Sequence, residues 1–191
     1  MLLQISNWFQ KNTKGWIIFL FLALYTILVM YVFQVEETKM KENSGGTGPI
    51  DLLFLYSPNT INSMLQAYGE AGRTAYLQFE LSWDLLYPIV YTLLFIFSLS
   101  WLFKKALLKN NPLQYFNILP IGGWLFDLFE NLSIVTMIAK YPNIPIILPW
   151  LSTSFTILKW MFAMATLLLL FIGLIAYFKK RYASKNSTQP N

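Results

Sequence analysis

Trp124-Leu125-Phe126-Asp127-Leu128-Phe129-Glu130-Asn131-Leu132 sets two acids and an amide one helical turn apart in an otherwise apolar stretch. With its flanks, residues 118–139, the stretch has the ~20 mostly apolar residues needed to cross a bilayer as a helix. A charge near the bilayer centre costs roughly 2.5–3.5 kcal/mol on insertion scales, so intramembrane acids turn inward and mark sites. The residues decide the fold class and pose the functional question together: a membrane helix, with a polar face that needs partners.

Composition agrees. The chain has 191 residues, 56% of them hydrophobic and 18% aromatic, and only 12% charged, against the ~25% usual in soluble domains. Mean hydropathy is +0.49. Cys and His are both absent. That removes disulfides, thiol redox pairs, His-based metal sites and the Ser-His and Cys-His nucleophiles. Any catalysis would have to use carboxylates, Lys, Tyr, Ser or Thr. No strand–glycine nucleotide motif is present, so no cofactor is expected, and no metal.

Three further apolar segments join the first, at residues 16–33, 83–103 and 150–178. The expected fold is all-α, a four-helix integral membrane bundle forming a single domain. The first segment follows Lys11 and Lys14 and lacks a small-x-small cleavage pattern, so it reads as an uncleaved anchor. Basic residues orient the bundle. Lys11, Lys14, Lys104, Lys105, Lys109, Lys179, Lys180, Arg181 and Lys185 fall on one side, and Lys39, Lys41, Arg73 and Lys140 on the other. The positive-inside rule then predicts both termini in the cytoplasm of a cell-membrane protein. This charge pattern belongs to membrane orientation and not to nucleic-acid binding.

Residues 34–82 are expected to form the extracytoplasmic segment. Within it, 36–50 read as a mobile Gly-rich loop. Residues 60–81 read as helical, with Asn59 or Thr60 as cap and Gly69 and Gly72 as breaks. Residues 1–10 fit an amphipathic helix lying flat on the inner surface, and 179–191 a disordered cytoplasmic tail.

Four polar patterns recur at helical spacing: Gly72-Arg73-Thr-Ala-Tyr76, Asp84-Leu-Leu-Tyr87-Pro88-Ile-Val-Tyr91, Asp127-Leu-Phe-Glu130-Asn131 and Thr156-Ile-Leu-Lys159-Trp160. Spacings of three and four place each of the last three sets on one helix face. Pro88 inside a span frees a backbone carbonyl one turn earlier. At 1.5 Å per residue, Glu130 lies about 15 Å and Lys159 about 14 Å from the same outer edge. A shared, outward-opening chamber of Arg73, Tyr76, Asp84, Tyr87, Tyr91, Asp127, Glu130, Asn131, Thr156, Lys159 and Trp160 is therefore expected. Plainer roles compete: Asp84 as a helix-start acid, Lys159 snorkelling with Trp160 in the aromatic belt, Arg73 and Tyr76 anchoring the outer helix, and the acids as an ion-pair network fixing helix packing.

The ordered set GRxxY, DxxYPxxY, DxxEN and TxxKW resembles a family of small prokaryotic four-span integral membrane proteins, over roughly residues 56–178. The resemblance implies that these residues form one functional unit and carries no activity with it. The leading functional expectation is a pocket that binds a small amphiphile or lipid headgroup. A second is a cofactor-independent lipid-modifying enzyme, with Glu130, Asp127 and Lys159 as candidate catalytic groups. A third is a non-catalytic subunit or assembly factor of a membrane complex.

Overall fold

The computed structural model describes residues 1–43, 46–108 and 111–186, and every regular element among them is helical. In chain order these are α1 (Leu2–Asn12), α2 (Gly15–Ile27), a π turn (Leu28–Val32), α3 (Phe33–Asn43), a 3-10 turn (Ile50–Leu52), α4 (Pro58–Ala67), α5 (Gly69–Glu80), α6 (Trp83–Ala106), a 3-10 stretch (Pro112–Ile118), α7 (Pro120–Lys140) and α8 (Ile147–Asn186). Four continuous helical stretches are long and apolar enough to cross a membrane: Gly15–Lys39, Gly69–Ala106, Pro112–Lys140 and Ile147–Ala183. The protein is a multi-pass membrane four-helix bundle.

The bundle is unequally packed. Half of the most apolar window in the second span is buried, but only 6% of that in the first. α6, α7 and α8 form the body, and α2 lies on α6 through ring contacts such as Phe21 on Phe97. Two glycines let α8 approach closely. A Cβ on Gly122 would collide with the Phe162 ring, and one on Gly173 would lie 3.3 Å from Leu102 Cβ. α1 is tied to the same end of the bundle by Ser6, whose hydroxyl donates to Asn117 Oδ1 at 2.6 Å, while Asn117 Nδ2 donates to Ser100 Oγ at 2.8 Å. Leu2, Leu3 and Trp8 remain exposed on α1.

The segment 46–82 caps the opposite end. Ser57 is the N-cap of α4, accepting from the Thr60 amide at 3.2 Å, with Pro58 in the first turn. The cap thus sits two residues before Asn59, because Pro58 pre-sets the first helical φ. Gly69, at φ +62°, separates α4 from α5. Gly72 lies inside α5 and breaks nothing. Ile61, Leu65, Tyr68 and Tyr76 bury against Ile134 and Met137 of α7, so the cap has its own apolar core.

Two expectations are corrected. Of the expected loop over 36–50, residues 36–43 are helical, because α3 extends the first span beyond the apolar run, and residues 44–45 lie outside the described residues. The charges of α3 pair along one face, Lys39 with Glu36 at 2.8 Å and Lys41 with Glu37 at 2.6 Å, which offsets low hydrophobicity in an exposed helix. The tail is also helical as far as Asn186, because Lys179-Lys180-Arg181 are good helix formers that continue α8 without a breaker. Residues 187–191 lie outside the described residues.

Candidate functional site

The interior polar groups assemble around Lys159. Its Nζ lies 2.5 Å from Glu130 Oε2 and 3.2 Å from Asp127 Oδ1. Asp127, Glu130 and Asn131 share the inner face of α7 at a spacing of three and four, and all are buried. Lys159 reaches them from α8, one turn after Thr156. The Thr156 hydroxyl bridges Glu130 Oε1 at 2.5 Å and the Ser152 carbonyl at 3.0 Å. The second oxygen of Asp127 accepts from the Tyr91 hydroxyl at 2.7 Å. One cation is therefore shared by two acids, each of which has a second hydrogen-bond donor.

α6 contributes through a consequence of its proline. Pro88 has no N–H, so the carbonyl four residues earlier, that of Asp84, loses its helical partner. Asn131 supplies the replacement. Its Nδ2 donates to the Asp84 carbonyl at 3.1 Å and to Asp84 Oδ2 at 2.7 Å. Asp84 stands in the first turn of α6, as the plain helix-start reading expects, and its side chain is in addition buried and held across helices.

Tyr76, Glu80, Asp84, Tyr87 and Tyr91 follow one another at spacings of four, four, three and four, forming a polar stripe down α5 and α6. At the top of the stripe the Tyr76 hydroxyl donates to Asp51 Oδ1 at 2.7 Å and accepts from the Ile50 amide at 3.0 Å. Glu80 is fully buried, and neither carboxyl oxygen has a hydrogen-bond partner. Asp51, Asp84 and the Tyr76 hydroxyl are among the polar groups that act on it. At the bottom, Tyr87 stacks on Tyr25 and packs edge-on against Tyr91.

Three predicted members take other places. The Arg73 guanidinium donates to the Leu65 carbonyl at 2.8 Å and lies 4.4 Å over the Tyr141 ring. It clamps the cap and does not join Lys159. Trp160 is 47% exposed and stands on the outer face of α8 beside Met161 and Met164. Tyr76 serves the Asp51 end of the stripe instead of the Lys159 centre. In return, the structure adds Asp51, Glu80 and Tyr56. Tyr56 donates to Ser152 Oγ at 2.6 Å, extending the Thr156 branch, and burial pushes its hydroxyl up to about 12, so it stays a neutral donor. Glu80 was readable as the missing step between Tyr76 and Asp84. Asp51 had no periodic signal, because it stands in an irregular segment.

A cleft of about 430 Å³ opens beside the upper end of the stripe. Phe33, Phe79 and Trp83 supply its aromatic walls, Glu36 and Glu37 of α3 one rim, and Asp51 with Tyr76 its floor. Phe33 packs edge-on against Phe79 and at 4.7 Å against Tyr87, linking this wall to the interior rings. Burial raises the Asp51 carboxyl above the usual carboxylate range, opposed by the Tyr76 hydrogen bond and by Lys159.

Comparison with known protein families, with curated proteins and with solved structures finds no match to this chain. The functional reading rests on the geometry alone.

Proposed function

We propose that this multi-pass membrane protein binds a small amphiphilic cation, with the headgroup in the cleft over Asp51 and Tyr76 and the apolar body against Phe33, Phe79 and Trp83. The observation that carries this reading is a charge imbalance. Among the described residues, Asp51, Glu80, Asp84, Asp127 and Glu130 act on one another in one interior whose paired cation is Lys159. The rim is charge-balanced, since Glu36 and Glu37 pair with Lys39 and Lys41. The interior excess of acids attracts a positive headgroup, and aromatic walls favour a weakly hydrated ammonium over a metal ion. Among the described residues, no three carboxylates stand close enough together to hold a metal. A cationic lipid-like ligand also suits a cleft whose walls continue into the membrane-spanning helices.

The Lys159 centre supports the cleft instead of forming it. Its groups are closed on one another, so its role is to hold α7 and α8 in register beneath the stripe. Decyltrimethylammonium, used below its micellar concentration on protein in neutral lipid nanodiscs, tests the proposal. It should raise the thermal midpoint of the wild type and bind at least tenfold more weakly to Asp51→Asn, a loss of about 1.4 kcal/mol. Equal stabilisation by decyl maltoside or decyl sulfate would refute a cation site.

A further inference from the structure

The end of the bundle away from the cap carries charges that the cleft does not use. The chain has nine acids, and all fall within residues 36–84 or at Asp127 and Glu130. α1, the last turns of α6, the 3-10 stretch Pro112–Ile118 and the last turns of α8 therefore meet at this end without one acid among them. Lys11, Lys14, Lys104, Lys105, Lys180 and Arg181 are all exposed there.

Basic residues beside spans are expected from orientation alone. The fold adds two features that orientation does not require. The first is convergence. Lys104 Nζ donates to the Gln10 carbonyl of α1 at 3.3 Å, and Lys180 Nζ donates to the Lys105 carbonyl at 2.9 Å. Segments from the start, middle and end of the chain are drawn into one basic rim, and each of these two ammonium groups has two further N–H donors. Cations held side by side with no acid among them attract an anion from outside.

The second is a fixed apolar flank. α1 turns Ser6, Gln10 and Thr13, at spacings of four and three, onto the body. Gln10 Nε2 donates to the Gln114 carbonyl at 2.8 Å, Thr13 Oγ1 to the Phe97 carbonyl at 3.2 Å, and Ser6 to Asn117. Met1, Ile5 and Trp8, at the same spacings, form a second arc, and Met1 and Trp8 are exposed. With its polar arc bonded to the body, α1 cannot roll to hide this one. α1 ends at Asn12 and the first span begins at Gly15, so the chain enters the bilayer directly beside the helix. A helix so placed, with one apolar arc, suits the boundary between headgroups and acyl chains.

From the rim and the flank together we infer that this end of the bundle is a docking surface for anionic phospholipid. The phosphates sit among Lys11, Lys104 and Lys180, and the acyl chains lie against Met1, Ile5 and Trp8. A zwitterionic headgroup brings its own ammonium and gains little from the rim. The surface is separate from the cleft, so neither reading depends on the other.

Native mass spectrometry of protein released from nanodiscs of equal phosphatidylglycerol and phosphatidylcholine tests this. Phosphatidylglycerol should be retained about fivefold or more over phosphatidylcholine, the scale of one lysine near an anionic surface. Lys104→Gln and Lys180→Gln together should lower that preference by about the same factor for each lysine. Lys140→Gln, at the cap end, should leave it unchanged. High salt should weaken the preference of the unaltered protein, because the rim is exposed. Equal retention of the two lipids, a preference insensitive to salt, or one that the paired substitution leaves intact would overturn the docking surface. Displacement by an equal concentration of free glycerol 3-phosphate would overturn the lipid source in favour of a soluble anion. A fluorophore on Trp8→Cys, the only thiol in that variant, should be quenched by nitroxides on acyl chains and not by aqueous iodide. The reverse pattern would overturn the apolar flank.

Discussion

Lys159 is the residue on which the interior depends. Two buried carboxylates share its charge, so removing it leaves both unpaired in a low-dielectric setting. Breaking a buried ion pair by deleting one partner typically costs about 3–5 kcal/mol. Lys159→Met should lose stability on that scale, measured by denaturant unfolding in mixed micelles, and adding Asp127→Asn and Glu130→Gln should recover most of it. A single variant as stable as wild type would show that the pairing contributes nothing to the fold. Asp127, Glu130 and Lys159 were legible in the sequence because apolar neighbours make a charge conspicuous. Glu80 was legible only as a step in the spacing from Tyr76 to Asp84; its burial was not, since an acid on an amphipathic helix is ordinary until its surroundings are known. Arg73 was placed in the chamber by its motif. It turns instead to Leu65 and Tyr141, which no spacing rule connects to it.

Among the elements, α6 shows how one residue type dictates a contact on another helix. Pro88 leaves the Asp84 carbonyl unpaired, and the Asn131 amide on α7 fills the vacancy. The two positions should be coupled. Asn131→Ala should destabilise the protein by about 1–3 kcal/mol, the usual cost of orphaning buried acceptors. Pro88→Ala, which returns an amide to the same carbonyl, should be more favourable in the Asn131→Ala background than in the wild type. Additive effects in a double-mutant cycle would remove the link. The freed carbonyl could be anticipated from Pro88 alone, but its partner could not, because helix register across the bundle is set by packing. Residues 36–43 turn out helical for a related reason. Loss of hydrophobicity ends a span but does not end a helix, and nothing in that stretch breaks one.

For the whole molecule, an even number of spans is expected to leave both termini on one side, and the positive-inside rule predicts the cytoplasmic one. The absence of Cys makes this directly measurable, since any introduced thiol is the only one. Asn59→Cys, on the exposed face of α4, should react with an impermeant maleimide added to intact cells. Tyr182→Cys, 71% exposed near the end of α8, should react only after the membrane is opened. The reverse pattern would invert the orientation and turn the cleft toward the cytoplasm. Span number and all-helical character were visible from hydropathy. The cleft was not, because it arises where α3 leans on the cap, a contact between segments far apart in sequence.

The peripheral position of the first span has a consequence for traffic. Only 6% of its most apolar window is buried, so most of α2 faces outward, and Phe33 stands where its packing on α6 meets the cleft. On the proposed reading, a guest dissolved in the leaflet would reach the cleft from the side, and its arrival would be governed by how much of it the lipid holds and not by its concentration in water.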